Sequence, residues 1–401
     1  MDVIASCVLW LLALAALPLF VVVGVFGLQI LAAVWPTSGG EPVRTEAHVR
    51  RRIIVLIPAH DESAGIERTL ASVLPQLHEH DTALVVADNC TDDTAAIARR
   101  CGATVVERFH DTQRGKGFAL AFGVDTMRAD PPGLVVIVDA DCTLGPGALD
   151  RLARCVVATD RPAQALYLML AAPGAGVARR LAQFAWRVRN WVRPAGWHRL
   201  GLPCQLMGTG MAFTWPMLRD AALANASIVE DMKLGIELAM RGHPPVFCAE
   251  AVVTSEFPDS AAATKTQRTR WEHGHLEMIL REVPPMMKVA IGRRDGRLAG
   301  MAFDLCVPPL ALLAAVLLLG TLLAAGVAAW TDTPALVVPY AAVLGLFVLA
   351  AFLAWAVRGR DLLRLSELLA IPLYVAAKVP LYLRFLWSRQ KQWVRTDREK
   401  P

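Results

Sequence analysis

No charged residue occurs from Val3 to Val34. A helix needs roughly 20 apolar residues to cross a bilayer, so a run this long is suited to lipid rather than to water. It opens on Met1-Asp2 rather than on a basic stretch, and it exceeds the apolar length of a secretory signal. It therefore predicts a transmembrane helix over residues 3–35, with Pro18 and Gly24 as points of kink or tilt. Arg44, Arg50, Arg51 and Arg52 follow. Basic residues gather on the cytosolic flank of a span. The N-terminus is thus expected outside, and the rest of a multi-pass inner (plasma) membrane protein begins with a cytoplasmic domain.

Two further spans are expected at Leu305–Trp330 and Pro334–Val357, joined outside by Thr331-Asp332-Thr333 and followed by Arg358-Gly359-Arg360-Asp361. The last apolar stretch, Leu362–Trp387, differs because it carries Arg364, Glu367, Lys378 and Arg384 together with Pro372 and Pro380. If it crossed, the basic tail 388–401 would lie outside, against the charge rule. An interfacial or re-entrant segment is preferred there to a third C-terminal span, within a membrane region over 301–387. The chain of 401 residues is 55% hydrophobic, but the excess sits in these ends, and the stretch between them reads as a soluble domain. The net charge of +5 is modest and its basic residues cluster beside the apolar runs. Membrane lipids are therefore the expected partners, and nucleic acid is not. The eight cysteines show no CxxC pair, which fits a reducing compartment.

The central stretch alternates strands and helices. Arg52–Ala59, Ala83–Asp88, Thr104–Phe109 and Leu134–Asp139 read as buried strands. Helices are expected over Ser63–Leu77 with Ser63 as N-cap, from Thr91 or Asp92 to Cys101, and after Gly117. Such alternation predicts a parallel α/β sheet covered on both faces, whose ligands bind at the carboxyl ends of the strands. Three carboxylate groups fall on that rim: Asp61/Glu62, Asp88 and Asp139/Asp141.

Asp139-Ala140-Asp141 follows the apolar Leu134–Val138, and two carboxylates so spaced can hold a divalent ion against a diphosphate. The plain alternative is a strand-ending Asp and a helix-capping one. Asp88 is placed to accept from the N3–H of a uracil, whereas Asp92 and Asp93 read as caps. Arg114-Gly115-Lys116-Gly117 before a helix suits an anion, or is an ordinary basic turn. Glu230-Asp231 opens the helix running to Met240; Asp231 can serve as a general base, although helix N-termini favour acidic residues in any case. In Gln267-Arg268-Thr269-Arg270-Trp271, two guanidiniums can neutralise a diphosphate and the indole can face a sugar ring. The competing reading is a basic interfacial helix with Trp at headgroup level.

Taken together, Asp88, Asp139-Ala140-Asp141, Asp231 and Gln267-Arg268-Thr269-Arg270-Trp271, in that order, resemble the signature of membrane-bound, processive family 2 glycosyltransferases. These include cellulose, hyaluronan, chitin and poly-N-acetylglucosamine synthases, with ceramide glucosyltransferase a non-processive relative. The resemblance spans roughly residues 52–290, and the family often carries Asn where this chain has Asp61.

It implies a GT-A-like (Rossmann-like) catalytic domain over 50–260, the Gln-x-x-Arg-Trp motif and interfacial helices over 261–300, and flanking transmembrane helices. It further implies that Asp88, Pro58 and Ala59 meet the base of a UDP-sugar, and that Asp139 and Asp141 hold Mg²⁺ or Mn²⁺. Asp139, Lys116, Arg268 and Arg270 would bind the donor. Asp231, beside Glu230, would be the general base, and Gln267, Trp271, Gly208 and Thr209 would face the acceptor. The expected reaction is inverting transfer to a growing β-linked polysaccharide, with export components as further partners. Single transfer to a lipid acceptor is the alternative.

Overall fold

A computed structural model describes residues 3–35, 51–224, 229–258 and 260–387. Arg44, Arg50 and the basic tail 388–401 lie outside the described residues.

One sheet contains β1 (Ile53–Ala59), β2 (Thr82–Asp88), β3 (Thr104–Arg108), β4 (Leu134–Ile137), β5 (Thr143–Leu144), β6 (Ala163–Leu170), β7 (Met211–Thr214) and β8 (Val246–Glu256), in the order β3-β2-β1-β4-β7-β6-β8-β5. Side chains alternate across a strand. Ile53, Val55 and Ile57 of β1 therefore enter one apolar cluster with Leu70 and Leu149, and Ile54 and Leu56 enter another with Leu120 and Val124. With both faces covered, the run has no polar positions to spare.

β1 to β4 pair in parallel, but β7 joins β4 antiparallel, with Met211 opposite Ile137. The sheet is thus mixed rather than parallel. Between β4 and β7 the chain makes a long excursion through helices Val177–Arg187 and Arg193–Arg199. It re-enters from the rim it left, so β7 must run back. That reversal brings Gly208 and Thr209, just before β7, beside the end of β4.

Helix Ile66–Val73 starts later than the sequence suggests, with Gly65 at its cap. Ser63 does not cap it. Its amide instead donates to the Asp92 carboxylate at 3.1 Å, which also takes the Thr94 amide at 3.0 Å and so closes the start of helix Thr94–Arg100.

Four candidate membrane spans are present among the described residues: Trp10–Val34, Leu310–Thr331, Pro334–Arg358 and Leu365–Phe385, and the chain is membrane-associated on that basis. The first three are long helices. The fourth is broken into Leu365–Ala370, Ile371–Ala376 and Val379–Trp387, and two of its charged side chains pair with helices Val177–Arg187 and Ala261–Arg293. Glu367 binds Arg180, and Lys378 binds Glu272 at 2.6 Å.

The N-terminal helix is fixed to the domain at two points. Gly196 packs so tightly on it that a Cβ there would lie 1.9 Å from the Gln29 carbonyl oxygen. Gln29, fully buried, donates to Asp304 at 2.6 Å and accepts from Arg193 at 2.8 Å. Arg193 in turn pairs with Asp304 at 2.9 Å. A buried amide and a buried ion pair that satisfy one another avoid the cost of lone polar groups in an apolar setting.

Candidate active site

The carboxyl ends of β1, β2 and β4 open into a cavity of about 440 Å³, closed on the far side by helices Glu230–Met240 and Ala261–Arg293. At its β2 end, Asp88 is buried. Its Oδ1 accepts from Arg108 at 2.6 Å and from Asn89 at 3.1 Å, so both contacts fall on one oxygen. His60 Nδ1 donates to the Asp88 carbonyl at 2.6 Å. Pro58 and Ala59 line the same end.

The centre is a charge cluster. Lys116, first residue of helix Lys116–Met127, ion-pairs with Asp139. It also donates to the Gly208 carbonyl at 2.7 Å and lies 3.9 Å from Glu230. Burial raises the carboxyls of Asp139, Glu230 and Asp231 above their ordinary range, with the Lys116 charge acting in the opposite sense. Burial pushes Lys116 down, but Asp139 and Glu230 outweigh it and hold the ammonium above its usual value. Asp141 lines the cavity, and oxygens of Asp139 and Asp141 lie within 4.8 Å of each other and of the Cys142 sulfur.

Gly208 has φ +90°, and a Cβ there would lie 3.3 Å from Asp231 Oδ2 and 3.5 Å from Lys116 Nζ. The backbone thus approaches the carboxylates where a side chain would intrude. Thr209 does not reach the cavity wall. It is fully buried and accepts from the Asp139 amide at 3.1 Å, so it supports Asp139 from behind.

On Ala261–Arg293, Gln267, Arg270 and Trp271 face the cavity. Arg268 does not line it; its guanidinium lies 6.0 Å from the ring centre of Tyr374 in the last apolar stretch. Residues two apart on a helix with 3.6 residues per turn point to nearly opposite sides, so Arg268 and Arg270 cannot share one anion. Trp271 meets Trp186 with ring centres 5.0 Å apart, and Trp186 meets Tyr167 edge-on at 5.3 Å.

Three contributors escape the sequence reading. Arg108 braces Asp88 from β3, and Trp186 and Arg189 come from the excursion between β4 and β7. The latter two are an ordinary aromatic and an ordinary cation in an amphipathic stretch. Only the π-helical turn Val188–Val192 marks the place, and such turns gather at functional sites.

The model of a family described as glycosyltransferase-like family 2 matches residues 50–274, more than half of the chain. The chain belongs to family 2 of the glycosyltransferases. The match runs through Trp271 and stops before the C-terminal membrane helices, so the glycosyltransferase has its family features in the GT-A-like α/β domain.

Its relatives include the probable glycosyltransferase YdaM of Bacillus subtilis, 23% identical over 59% of this chain and 58% of YdaM. Another is the 4,4'-diaponeurosporenoate glycosyltransferase of Staphylococcus aureus, 35% identical over 23% of this chain and 24% of that protein. The match to YdaM thus covers little more than half of YdaM's length. Among solved structures, the mannosyltransferase PcManGT of Pyrobaculum calidifontis, in complex with GDP-Man and Mn²⁺, aligns over 95% of this chain and 100% of its own. The TM-score is 0.54 at 16% identity, a likeness of fold that takes in apolar helices as well as the α/β domain.

Proposed function

We propose that this glycosyltransferase moves a sugar from a nucleoside diphosphate sugar to a hydroxyl of a lipid-borne acceptor, inverting the anomeric carbon. The observation that carries the transfer is the gathering of Asp88, Lys116, Asp139, Asp141, Asp231 and Arg270 on one cavity. Asp88 receives the base, using the oxygen that Arg108 leaves open. Lys116 and Arg270 hold the diphosphate. Asp231 takes the proton of the acceptor hydroxyl, whose oxygen forms a bond to the anomeric carbon as the bond to the diphosphate breaks. The electron pair leaves with the diphosphate, and no covalent sugar–protein intermediate is involved.

The residues present fit a divalent metal. Burial drives the Cys142 thiol well above its ordinary pKa, which keeps it protonated and leaves the carboxylate oxygens of Asp139 and Asp141 as donors. A hard, all-oxygen donor set suits Mg²⁺ or Mn²⁺, and PcManGT was solved with Mn²⁺. Once bound, such an ion supplies charge stabilisation to the departing diphosphate.

The lipid-borne acceptor is favoured by the membrane region. Its buried interior is filled by Val23, Phe26, Ile30, Leu317, Val343 and Phe347, apolar side chains that suit helix packing rather than passage of a hydrated polymer. The polysaccharide reading keeps one specific support, the Trp186–Trp271 pair on the cavity wall, which offers a flat face to a terminal sugar. Under that reading the polymer leaves through a partner. Product size in membranes given labelled donor separates the two. One organic-extractable glycolipid of constant size supports lipid transfer, whereas a ladder that vanishes in Trp271→Ala supports polymer synthesis.

Arg51 and Arg52 at its entrance support a cytoplasmic side for the catalytic domain. Labels at residues 100 and 332 reporting opposite sides of the membrane would support this topology, and labels reporting one side would contradict it.

A further inference from the structure

Arg189 lies on the π-helical turn Val188–Val192. Its cationic neighbours are engaged: Arg187 binds Asp361 at 2.7 Å, and Arg193 binds Asp304 at 2.9 Å. Arg189 differs. Among the described residues no hydrogen bond or ion pair engages its guanidinium, and its ring contact is Trp186, 5.9 Å from the ring centre. The side chain lines the main cavity and also a second one of about 30 Å³.

The two cavities share Arg189, Asn190, Met207 and Met232, and the second ends at Arg193, Asp304 and Leu305. Arg193 and Asp304 are the residues that clasp Gln29 of the first membrane helix. The second cavity therefore adjoins the main one at Arg189 and reaches the residues that hold the first membrane helix.

Charges divide on either side of Asp231. Arg270 has Glu230, Asp139, Asp231 and Asp141 around it, the side where the donor diphosphate is held. Arg189 has Arg193, Asp231, Glu272 and Asp304, the side of the membrane junction. Arg189 is half-buried, and among the described residues none of these carboxylates pairs with it, so its guanidinium is open to an added anion. A guanidinium fork matches a phosphate through paired hydrogen bonds.

We propose that the acceptor carries a phosphate that binds Arg189 on the membrane side of Asp231 and so sets its hydroxyl against the base. The proposal rests on the reading of the main cavity as a glycosyl-transfer site. The phosphate takes no part in bond making; it orients. It belongs either to a lipid headgroup or to a soluble phosphorylated acceptor.

The test uses the full-length protein in phosphatidylcholine vesicles with the nucleotide sugar it turns over fastest. The acceptor arms are phosphatidylglycerol in the vesicle, diacylglycerol in the vesicle, and soluble glycerol 1-phosphate. Transfer at least about tenfold faster to one phosphorylated acceptor than to diacylglycerol is expected, the scale of one charge-assisted contact. The arm that responds identifies a lipid or a soluble source. Arg189→Gln should erase that preference through the acceptor KM while nucleotide affinity, measured by calorimetry with Mn²⁺, stays within about twofold of wild type. Arg189→Lys should restore part of it.

Equal or faster transfer to diacylglycerol overturns the proposal. So does a uniform loss on all acceptors in Arg189→Gln, which would make Arg189 a support for Asp231. Absence of transfer to either phosphorylated acceptor also overturns it. If wild type releases no nucleotide from any donor, it is the underlying glycosyl-transfer reading that fails.

Discussion

Glu272 and Lys378 form an ion pair of 2.6 Å, and the side chain of each is 11% exposed. Glu272 follows Trp271 on the helix that walls the cavity, and Lys378 sits at the break in the last apolar stretch. The pair therefore ties that stretch to the active-site helix. Leu369 and Leu373, 83% and 76% exposed, lie four apart on its outer side, where lipid can cover them.

Breaking that pair should loosen the active-site wall. Removing one partner of a buried pair costs about 3–5 kcal/mol, less where water reaches it. Glu272→Gln and Lys378→Met should each lower the thermal midpoint in detergent and expose the 360–387 region to protease. The double variant should lose less than the sum of the two, as a double-mutant cycle would report. Strict additivity would mean that the pair is not coupled.

Gly196→Ala should detach the first membrane helix from the domain, because its Cβ would fall 1.9 Å from the Gln29 carbonyl oxygen. Overpacking of this kind typically costs about 1–3 kcal/mol, occasionally more. The expected result is a lower yield of folded protein and a lower thermal midpoint. A variant with unchanged stability would show that the helix can shift without loss.

His275 supplies a pH dependence of stability. Burial lowers its pKa to about 3, from an ordinary 6.5, while Nε2 donates to the Leu305 carbonyl at 3.1 Å. The folded pKa lies below the unfolded one, so below about pH 6.5 the unfolded chain takes up a proton that the fold refuses. Stability from this group is complete above that pH and is lost as pH falls toward 3, by up to about 1.4 kcal/mol per unit. Thermal midpoints from pH 7.5 to 5 should therefore fall in wild type and fall less in His275→Gln. Parallel slopes would count against the assignment.

Nucleotide release should stop in excess EDTA and return with Mn²⁺ or Mg²⁺, and Asp141→Ala should require more metal for half-maximal rate. Full activity in EDTA would remove the metal from Asp139 and Asp141.

Much of this was legible along the chain because it is local. A strand buried on both faces declares itself as an unbroken apolar run, and its first carboxylate marks the rim; this places Asp88 and Asp139 without any knowledge of the fold. The reversal of β7 was not legible, since strand direction depends on where a long excursion returns. Arg268 and Arg270 look equivalent in sequence, and only the position of the helix between cavity and last apolar stretch sends one to Tyr374 and the other to the site. Arg189 carried no signal, because a π-turn has no residue code. Gln29 went unread in the first apolar run, because the partners that give it a role, Arg193 and Asp304, lie far along the chain.

Whether Asp231 removes the acceptor proton is decided by Asp231→Asn. The substitution keeps the size of the side chain and removes the base. Transfer should fall by about 10²–10⁴-fold, while metal-dependent nucleotide binding, followed by calorimetry, stays near wild type. An Asp231→Asn protein that turns over donor and acceptor at close to the wild-type rate would mean that another group takes the proton.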